Sequence, residues 1–434
     1  MEIKRDNYLN KLIRKKDNGF IKVITGIRRS GKSYLLNNLF YNHLIESGVN
    51  DKHIIKFAFD SGRDLLKIGE DLMDLDTLSG ERLVNPKRFL EYIESKTNKN
   101  EKFYILLDEV QLLASFEQVL NGFLRQDNFD VYVTGSNSKF LSKDVITEFA
   151  GRGDEINVMP LVFSEFLETF DGNKEDAFAQ YQVFGGLPAQ CLMDSDEDRM
   201  VYLQSQLENV YLRDIVNRYD VRLKDELGDL LNVLASGIST LTNPTKMAST
   251  FQSIKKSKIS PNTIDKFIGY FEDAFMLKRV YRYDVKGRKY IGTPYKIYFE
   301  DVGLRNTKLN FRQIEPTHLM ENIIYNELRF RGYMVDVGMV IKRENDKNNK
   351  DIKKQLEVDF IANLGSKRYY IQSAYSLPSI EKINQEKASL LNIDDSFKKI
   401  IIVKDKVKPF LDEHGILTIN LFDFLLDKDS LDIY

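Results

Sequence analysis

Between residues 20 and 160 short apolar runs alternate with stretches of helical period. Ile21–Thr25, His53–Phe59, Phe103–Leu107 and Val131–Thr134 read as strands, with Tyr34–Ile45, Phe89–Ser95 and Phe116–Arg125 as the helices between them. Near-continuous apolar strands alternating with helices predict a doubly wound parallel sheet, because crossover helices cover both of its faces. From Ser164 to Leu234 the period is helical, interrupted by Gly185-Gly186-Leu187-Pro188, which suggests a lid or linker. Short helices around Thr245–Phe251 and Pro261–Leu277 then precede two strand-like runs, Leu277–Val285 and Lys289–Tyr298. That order is the one of a winged helix. A helix over Met320–Arg331 and strands at Tyr333–Gly338, Gln355–Ala362, Tyr369–Ser373 and Ile400–Val403 predict a last α/β domain, with Glu344–Lys354 as a solvated hairpin or loop. The expected domains are therefore 1–165, 166–232, 233–300 and 301–434.

The composition fits several folded domains: 434 residues, 42% of them hydrophobic, bury more than one core. Charge is balanced, 63 Lys and Arg against 65 Asp and Glu, so any nucleic-acid footprint has to be local. Cys191 is the one cysteine and forms no internal disulfide. The first residues lack the apolar core of a signal peptide, and no apolar run approaches the roughly 18 to 20 residues that span a bilayer. A cytoplasmic protein without membrane contact is the expectation.

The sharpest chemical signal is Gly26-Ile27-Arg28-Arg29-Ser30-Gly31-Lys32-Ser33, between the first strand and the first long helix. The spacing G-x-x-x-x-G-K-[ST] lets the backbone wrap an anion, so that N–H groups at a helix start point at a β-phosphate. Residues 26–33 with Tyr34 are the expected nucleotide contacts; Lys32 supplies a cation and Ser33 a Mg²⁺ ligand. Phe103–Leu107 ends in Asp108-Glu109, expected on a strand beside the loop. Asp108 would hold the Mg²⁺ shell and Glu109 would polarise the attacking water as general base. A third strand tip, Thr134-Gly135-Ser136-Asn137, places Ser136 or Asn137 for the γ-phosphate, Asn137 being preferred because its amide both donates and accepts. Arg152, on a turn between Gly151 and Gly153, is a candidate arginine finger for a neighbouring subunit, or else a local salt-bridge partner; Arg213 is an alternative finger.

Two further regions carry chemistry. Thr245 to Lys296 holds twelve Lys or Arg and four Asp or Glu, about +8 in a nearly neutral chain. Lys255, Lys256 and Lys258 in a loop, with Arg288 and Lys289 in the wing, are candidates for DNA phosphates; a packing or lid role is the equal alternative. Near the end, Glu321 and Glu327 on a helix, Glu357 and Asp359 on one strand and Gln372 on the next resemble the metal site of a PD-(D/E)XK nuclease. Gln372 replaces an acid of that motif and Ala374 its Lys, so cleavage is disfavoured.

In this order the strings G-I-R-R-x-G-K-S, L-L-D-E-V-Q, T-G-S-N-S and G-R resemble a bacterial and archaeal family of AAA-type ATPases that ends in a restriction-endonuclease-like domain of unknown function. Pro160–Phe166, Phe184–Pro188, Glu321–Leu328 and Arg331–Tyr333 extend the resemblance over nearly the whole chain. It implies an α/β P-loop core, a helical lid, a winged-helix domain and a nuclease-like α/β domain. It also implies ATP and Mg²⁺ as cofactors and hydrolysis as the activity. The expected function is Mg²⁺-dependent ATP hydrolysis that moves the later domains, on DNA and as a homo-oligomer. A nucleotide-gated protein scaffold and a metal-dependent nuclease are the alternatives.

Overall fold

The computed structural model describes residues 3–70, 83–135, 151–255, 259–345 and 351–433. The chain forms two compact units, residues 1–160 and 161–434.

In the first unit five parallel strands lie in the order β2-β3-β4-β1-β5: β1 Ile21–Thr25, β2 Ile54–Ala58, β3 Phe103–Asp108, β4 Phe129–Thr134 and β5 Gly153–Asn157. Every residue of β1, β3 and β4 is buried, as expected of strands covered on both faces. One side of the core joins Val23, Phe57, Ile105, Leu107 and Val131 to Phe89 and Leu120 from the helices Pro86–Lys96 and Phe116–Phe123. A buried charge pair joins two strands of this sheet: Lys22 on β1 donates to Asp130 on β4, and Tyr132 donates to the other Asp130 oxygen at 2.8 Å. β3 was expected beside β1. Instead β4 lies between them, and this inserted strand contributes to the site described below.

The second unit is built on an eight-stranded mixed sheet, ordered β12-β13-β11-β10-β9-β8-β6-β7. The strands are β6 Leu277–Asp284, β7 Lys289–Phe299, β8 Met334–Asn345, β9 Asp351–Leu364, β10 Lys367–Ala374, β11 Lys398–Val403, β12 Phe410–Leu411 and β13 Ile416–Asn420. The β6–β7 hairpin was expected as the wing of a separate module over residues 233–300. It is instead continuous with the later strands, because β6 pairs in parallel with β8 through Arg282↔Val337 and Tyr283↔Gly338. Sheet hydrogen bonds therefore cross the boundary expected at residue 300. Ahead of the hairpin come the helices Lys224–Ser236, Pro244–Thr250 and Pro261–Asp273, with Thr242 bridged to Tyr295 on β7.

Two sequence strings of this unit interlock. Asp301 accepts from the N–H of Gly186 at 2.7 Å and of Leu304 at 3.0 Å, while Asn306 donates to the carbonyls of Gln182 and Val183 at 2.8 and 2.9 Å. A Cβ on Gly186 would stand 2.1 Å from the Leu161 carbonyl oxygen, so only glycine fits there. Burial pushes the Asp301 carboxyl up to about 6, against the pull of those backbone donors.

Candidate nucleotide site and a second charged cluster

The loop after β1 has the backbone that its sequence requires. Gly26 has φ +130° and its absent Cβ would lie 2.2 Å from the Val158 carbonyl oxygen; Gly31 is left-handed at φ +93° and Arg29 at φ +63°. Helix begins at Lys32 and runs through π-helical turns over Leu35–Phe40 to Glu46. Arg5, buried and far away in sequence, braces the loop by donating to the Ser30 carbonyl at 3.3 Å and to the Met159 carbonyl at 2.6 Å.

Lys32 is buried, and its ammonium donates to the carbonyls of Gly26 and Ile27, each at 2.9 Å. Burial pushes its pKa down to about 8; Glu109 and Asp108 oppose this without cancelling it, and Arg28 adds to it. The loop is thus short of anionic charge. Ser30 Oγ is also buried with no hydrogen-bond partner among the described residues. Both observations fit a loop that takes an anion.

Ser33 donates its hydroxyl to Asp108 at 3.0 Å, and Asn37 donates to the other Asp108 oxygen at 3.3 Å. Asp108 ends β3, where burial raises its pKa; the bonds from Thr134 and Ser33 lower it, and Glu109 and Asp60 raise it further. Thr134, the last residue of the inserted β4, donates to Asp108 and accepts from the Glu109 N–H at 3.1 Å. One hydroxyl thereby sets the relative position of both acids. Glu109 itself is left-handed at φ +53°, a sparsely populated conformation for a non-glycine residue, and its carboxylate accepts from Gln111. Asp60, just past β2, is raised by desolvation and by the Glu109 charge. Arg5, Asp60 and Thr134 are the residues that the sequence reading missed. Thr134 had a local signal, since it closes the same strand tip as the residues that were singled out.

Among the other expected contacts, Ile27 and Ser30 are buried, Arg28 and Tyr34 half-buried and Arg29 exposed. Asn137, Ser136, Lys256 and Lys258 lie outside the described residues, as does the Lys255 side chain. Arg152 is not brought to the loop of its own chain. It precedes Gly153, which pairs with Ile21 at the start of β1, whereas the loop follows Thr25 at the end. About 13 Å of strand separates the two positions. Arg213 opens the helix Arg213–Arg218 of the second unit and is exposed.

The basic count of residues 245–296 overstates the charge offered to a partner. Arg279 pairs with Asp265 and Glu272 at 2.5 and 2.6 Å, the buried Arg282 donates to Gln355 at 3.0 Å, and Lys296 is buried. Arg288 and Lys289 are exposed at the turn of the β6–β7 hairpin.

The acids Glu321, Glu357 and Asp359 do converge in the second unit, and the sequence reading missed what they surround. Lys296 on β7 places its ammonium 2.8 Å from Glu321, 2.7 Å from Glu357 and 3.5 Å from Asp359. Burial works against that ammonium, but Glu321, Asp359 and Glu357 together outweigh it and hold its pKa above the ordinary lysine value. Burial, then Glu321, pushes the Asp359 carboxyl up to about 8. Tyr298 donates to Glu321 at 2.6 Å. Gln372 is near, its carbonyl oxygen accepting from the Asp359 N–H at 3.4 Å. Glu327 lies apart, paired with Arg331 at 2.7 Å. The signal for Lys296 was a single lysine inside the apolar run Tyr295-Lys296-Ile297-Tyr298-Phe299, all of it buried.

No helix among the described residues is long and apolar enough to cross a membrane. Residues 18–167 match the family model of an AAA domain, and residues 175–315 that of a domain of unknown function (DUF8612). An uncharacterized protein of Haemophilus influenzae is 31% identical over 429 residues, 98% of this chain and 98% of that one. An uncharacterized protein of Methanocaldococcus jannaschii is 28% identical over 408 residues, 89% of this chain and 82% of the other. The structure of the Aeropyrum pernix ORC1 protein in complex with DNA is similar with a TM-score of 0.33 at 12% identity, covering 71% of this chain and 93% of that chain. CDC6P from Pyrobaculum aerophilum gives a TM-score of 0.30 at 12% identity, over 74% of this chain and 93% of that one. The chain belongs to the family of the H. influenzae protein, and its N-terminal unit is an AAA domain of the P-loop ATPase type.

Proposed function

We propose that this protein binds ATP with Mg²⁺ at the loop of residues 26–34 and hydrolyses it. One observation carries the reading: Lys32, Ser33, Asp108 and Glu109, distant in sequence, gather at the ends of β1 and β3 with Thr134 tying the two acids together. Ser33 and Asp108 would hold Mg²⁺, which supplies positive charge against the phosphates. The loop amides and Lys32 bind and orient the triphosphate, which brings the anion that the Lys32 ammonium lacks in direct contact among the described residues. Glu109 takes the proton of the attacking water, and Thr134 fixes its backbone for that task. In this reading the protein is a homo-oligomer in which Arg152, or Arg213, meets the nucleotide of a neighbouring copy, since Arg152 lies a strand's length from its own loop.

The reading extends to DNA. Three helices, a bridging residue and a hairpin in winged-helix order support it, with Arg288 and Lys289 exposed at the turn, and with Lys255, Lys256 and Lys258 in the sequence between the second and third helices. Hydrolysis would move this module and the nuclease-like strands after it. The second reading, a nucleotide-gated protein scaffold, is favoured by the inward commitment of Arg279, Arg282 and Lys296, which reduces the exposed basic charge.

Mg²⁺-dependent phosphate release tests the enzyme, with Glu109→Gln expected to slow it about 10²- to 10³-fold while ATP stays bound. Release that ignores this substitution would remove the assigned base. Anisotropy with labelled duplex and single strands tests the DNA half, and no binding even at low salt, where phosphate contacts are strongest, would leave the scaffold.

A further inference from the structure

Lys296 lies on the edge strand of its sheet, yet it is among the most buried charged residues of the second unit. Its ammonium pairs with carboxylates from two other elements: Glu321 on the helix Pro316–Phe330, to which it donates a hydrogen bond, and Glu357 and Asp359 on β9. Further contacts from within the chain hold two of these acids. Tyr298 donates to the same Glu321 oxygen, and the second Asp359 oxygen accepts from the Ser373 N–H at 2.8 Å. Gln372 accepts from the Asp359 N–H and from the Ser389 hydroxyl, each at 3.4 Å.

The geometry points to a cation site whose resident cation is the chain's own ammonium: Lys296 stands at the shared centre of Glu321, Glu357 and Asp359 and keeps divalent metal out. Distances decide between the two occupants. Oxygens bind Mg²⁺ at about 2.0–2.1 Å and Ca²⁺ at about 2.3–2.6 Å. Here Glu357 and Glu321 stand 2.7 and 2.8 Å from the nitrogen, hydrogen-bond spacing to an ammonium, and Asp359 stands at 3.5 Å as an ion-pair partner. A metal would have to draw all three inward and expel Lys296 from the point that it occupies. Expulsion strands a buried ammonium without partners, which costs several kcal/mol. The cluster is thus a joint that fastens β7 to the helix and to β9, and the nuclease-like strands carry no metal-dependent cleavage centre there.

Calorimetric titration of the full chain with MnCl₂ tests this, in an Asp108→Asn background that removes the metal-binding acid assigned to the first unit. With Lys296 in place, no Mn²⁺ uptake is expected up to about 1 mM, the weak end of biological Ca²⁺ sites. Lys296→Ala should create one Mn²⁺ site at least about tenfold tighter than that limit, which a further Glu357→Gln should abolish. Two results would overturn the inference: one equivalent of Mn²⁺ taken up by the Lys296 chain and lost with Asp359→Asn, or a folded Lys296→Ala chain that takes up none. Should Lys296→Ala not fold, the Lys296 and Asp359→Asn titrations decide alone. The nucleotide reading is untouched by either outcome, because phosphate release from the chain with Asp108 restored reports on it separately.

Discussion

Lys32 and Lys296 are both buried lysines with acids nearby, and burial leaves them in opposite states. Among the described residues Lys32 donates to two backbone carbonyls alone, with Asp108 and Glu109 acting from further off, so desolvation wins and its pKa falls to about 8. Lys296 touches three carboxylates, so the opposite charges win and its pKa rises. Burial alone therefore says little about what a lysine does. The deciding quantity is whether its counter-charge lies inside the chain or has to arrive from outside.

The sharpest way to break this comparison is to remove each ammonium in turn. Lys296→Ala leaves the buried Glu321 and Asp359 and the half-buried Glu357 without their cation, and the expected cost is about 3–5 kcal/mol, more than a hundredfold in the local folding equilibrium. Hydrogen exchange in β7 and β9 measures it, and a loss below about 1 kcal/mol would show the joint to be idle. Lys32→Ala removes a charge that the fold holds at a loss, so the thermal midpoint of the first unit should stay or rise. ATP affinity should instead fall about a hundredfold, the worth of a charge-assisted contact to phosphate. Equal destabilisation by the two substitutions would erase the distinction.

A smaller effect separates the acids of the nucleotide site from those around Lys296. Thr134→Val keeps the shape of the side chain but removes the hydroxyl that donates to Asp108 and accepts from the Glu109 N–H. A buried N–H left without its acceptor costs about 1–3 kcal/mol. If that strain falls on the catalytic geometry, phosphate release should slow about tenfold while ATP affinity changes less than about threefold. A loss confined to affinity would assign Thr134 to nucleotide binding.

What the sequence made legible follows from how local each feature is. The phosphate loop is eight consecutive residues whose spacing has one mechanical purpose, so no partner from elsewhere was needed to read it. Four strands of the first sheet were equally plain, since parallel strands buried on both faces are largely apolar; the edge strand β5, Gly153–Asn157, is polar and only partly buried, and was not expected. Thr134 was passed over because its role depends on β4 lying between β1 and β3, a fact of topology absent from local spacing. The distance of Arg152 from its own loop was not legible for the same reason: the Gly-flanked turn is local, but the parallel pairing of β5 with β1 decides which end it occupies. The β6–β7 hairpin read as a free-standing wing because its pairing with β8 joins residues about fifty apart. Lys296 was counted as surface charge on that wing, although its partner Glu321 lies only 25 residues further on.

The mildest prediction uses pH, and it also divides the two lysines. A folded-state pKa below the ordinary lysine value means that the folded chain releases the Lys32 proton earlier than the unfolded one does. Its charged form therefore burdens the fold below about pH 8, and that burden lifts as pH rises from there toward 10.5. A bound triphosphate favours the charged form, so nucleotide binding has to recapture the proton above pH 8. With only the ammonium form competent, apparent ATP affinity should weaken about fourfold between about pH 7 and pH 8.5, accompanied by proton uptake. Calorimetry in buffers of different ionisation enthalpy reads both. Lys296, with its pKa raised, keeps its charge throughout that window. In an Asp359→Asn chain, which lacks the neighbouring carboxyl that burial pushes up to about 8 and that would itself titrate there, protection of β7 and β9 against hydrogen exchange, corrected for intrinsic rates, should therefore not change. ATP affinity that stays flat, or protection at β7 that falls in step with it, would mean that the two ammonium groups do not differ in the way their surroundings indicate.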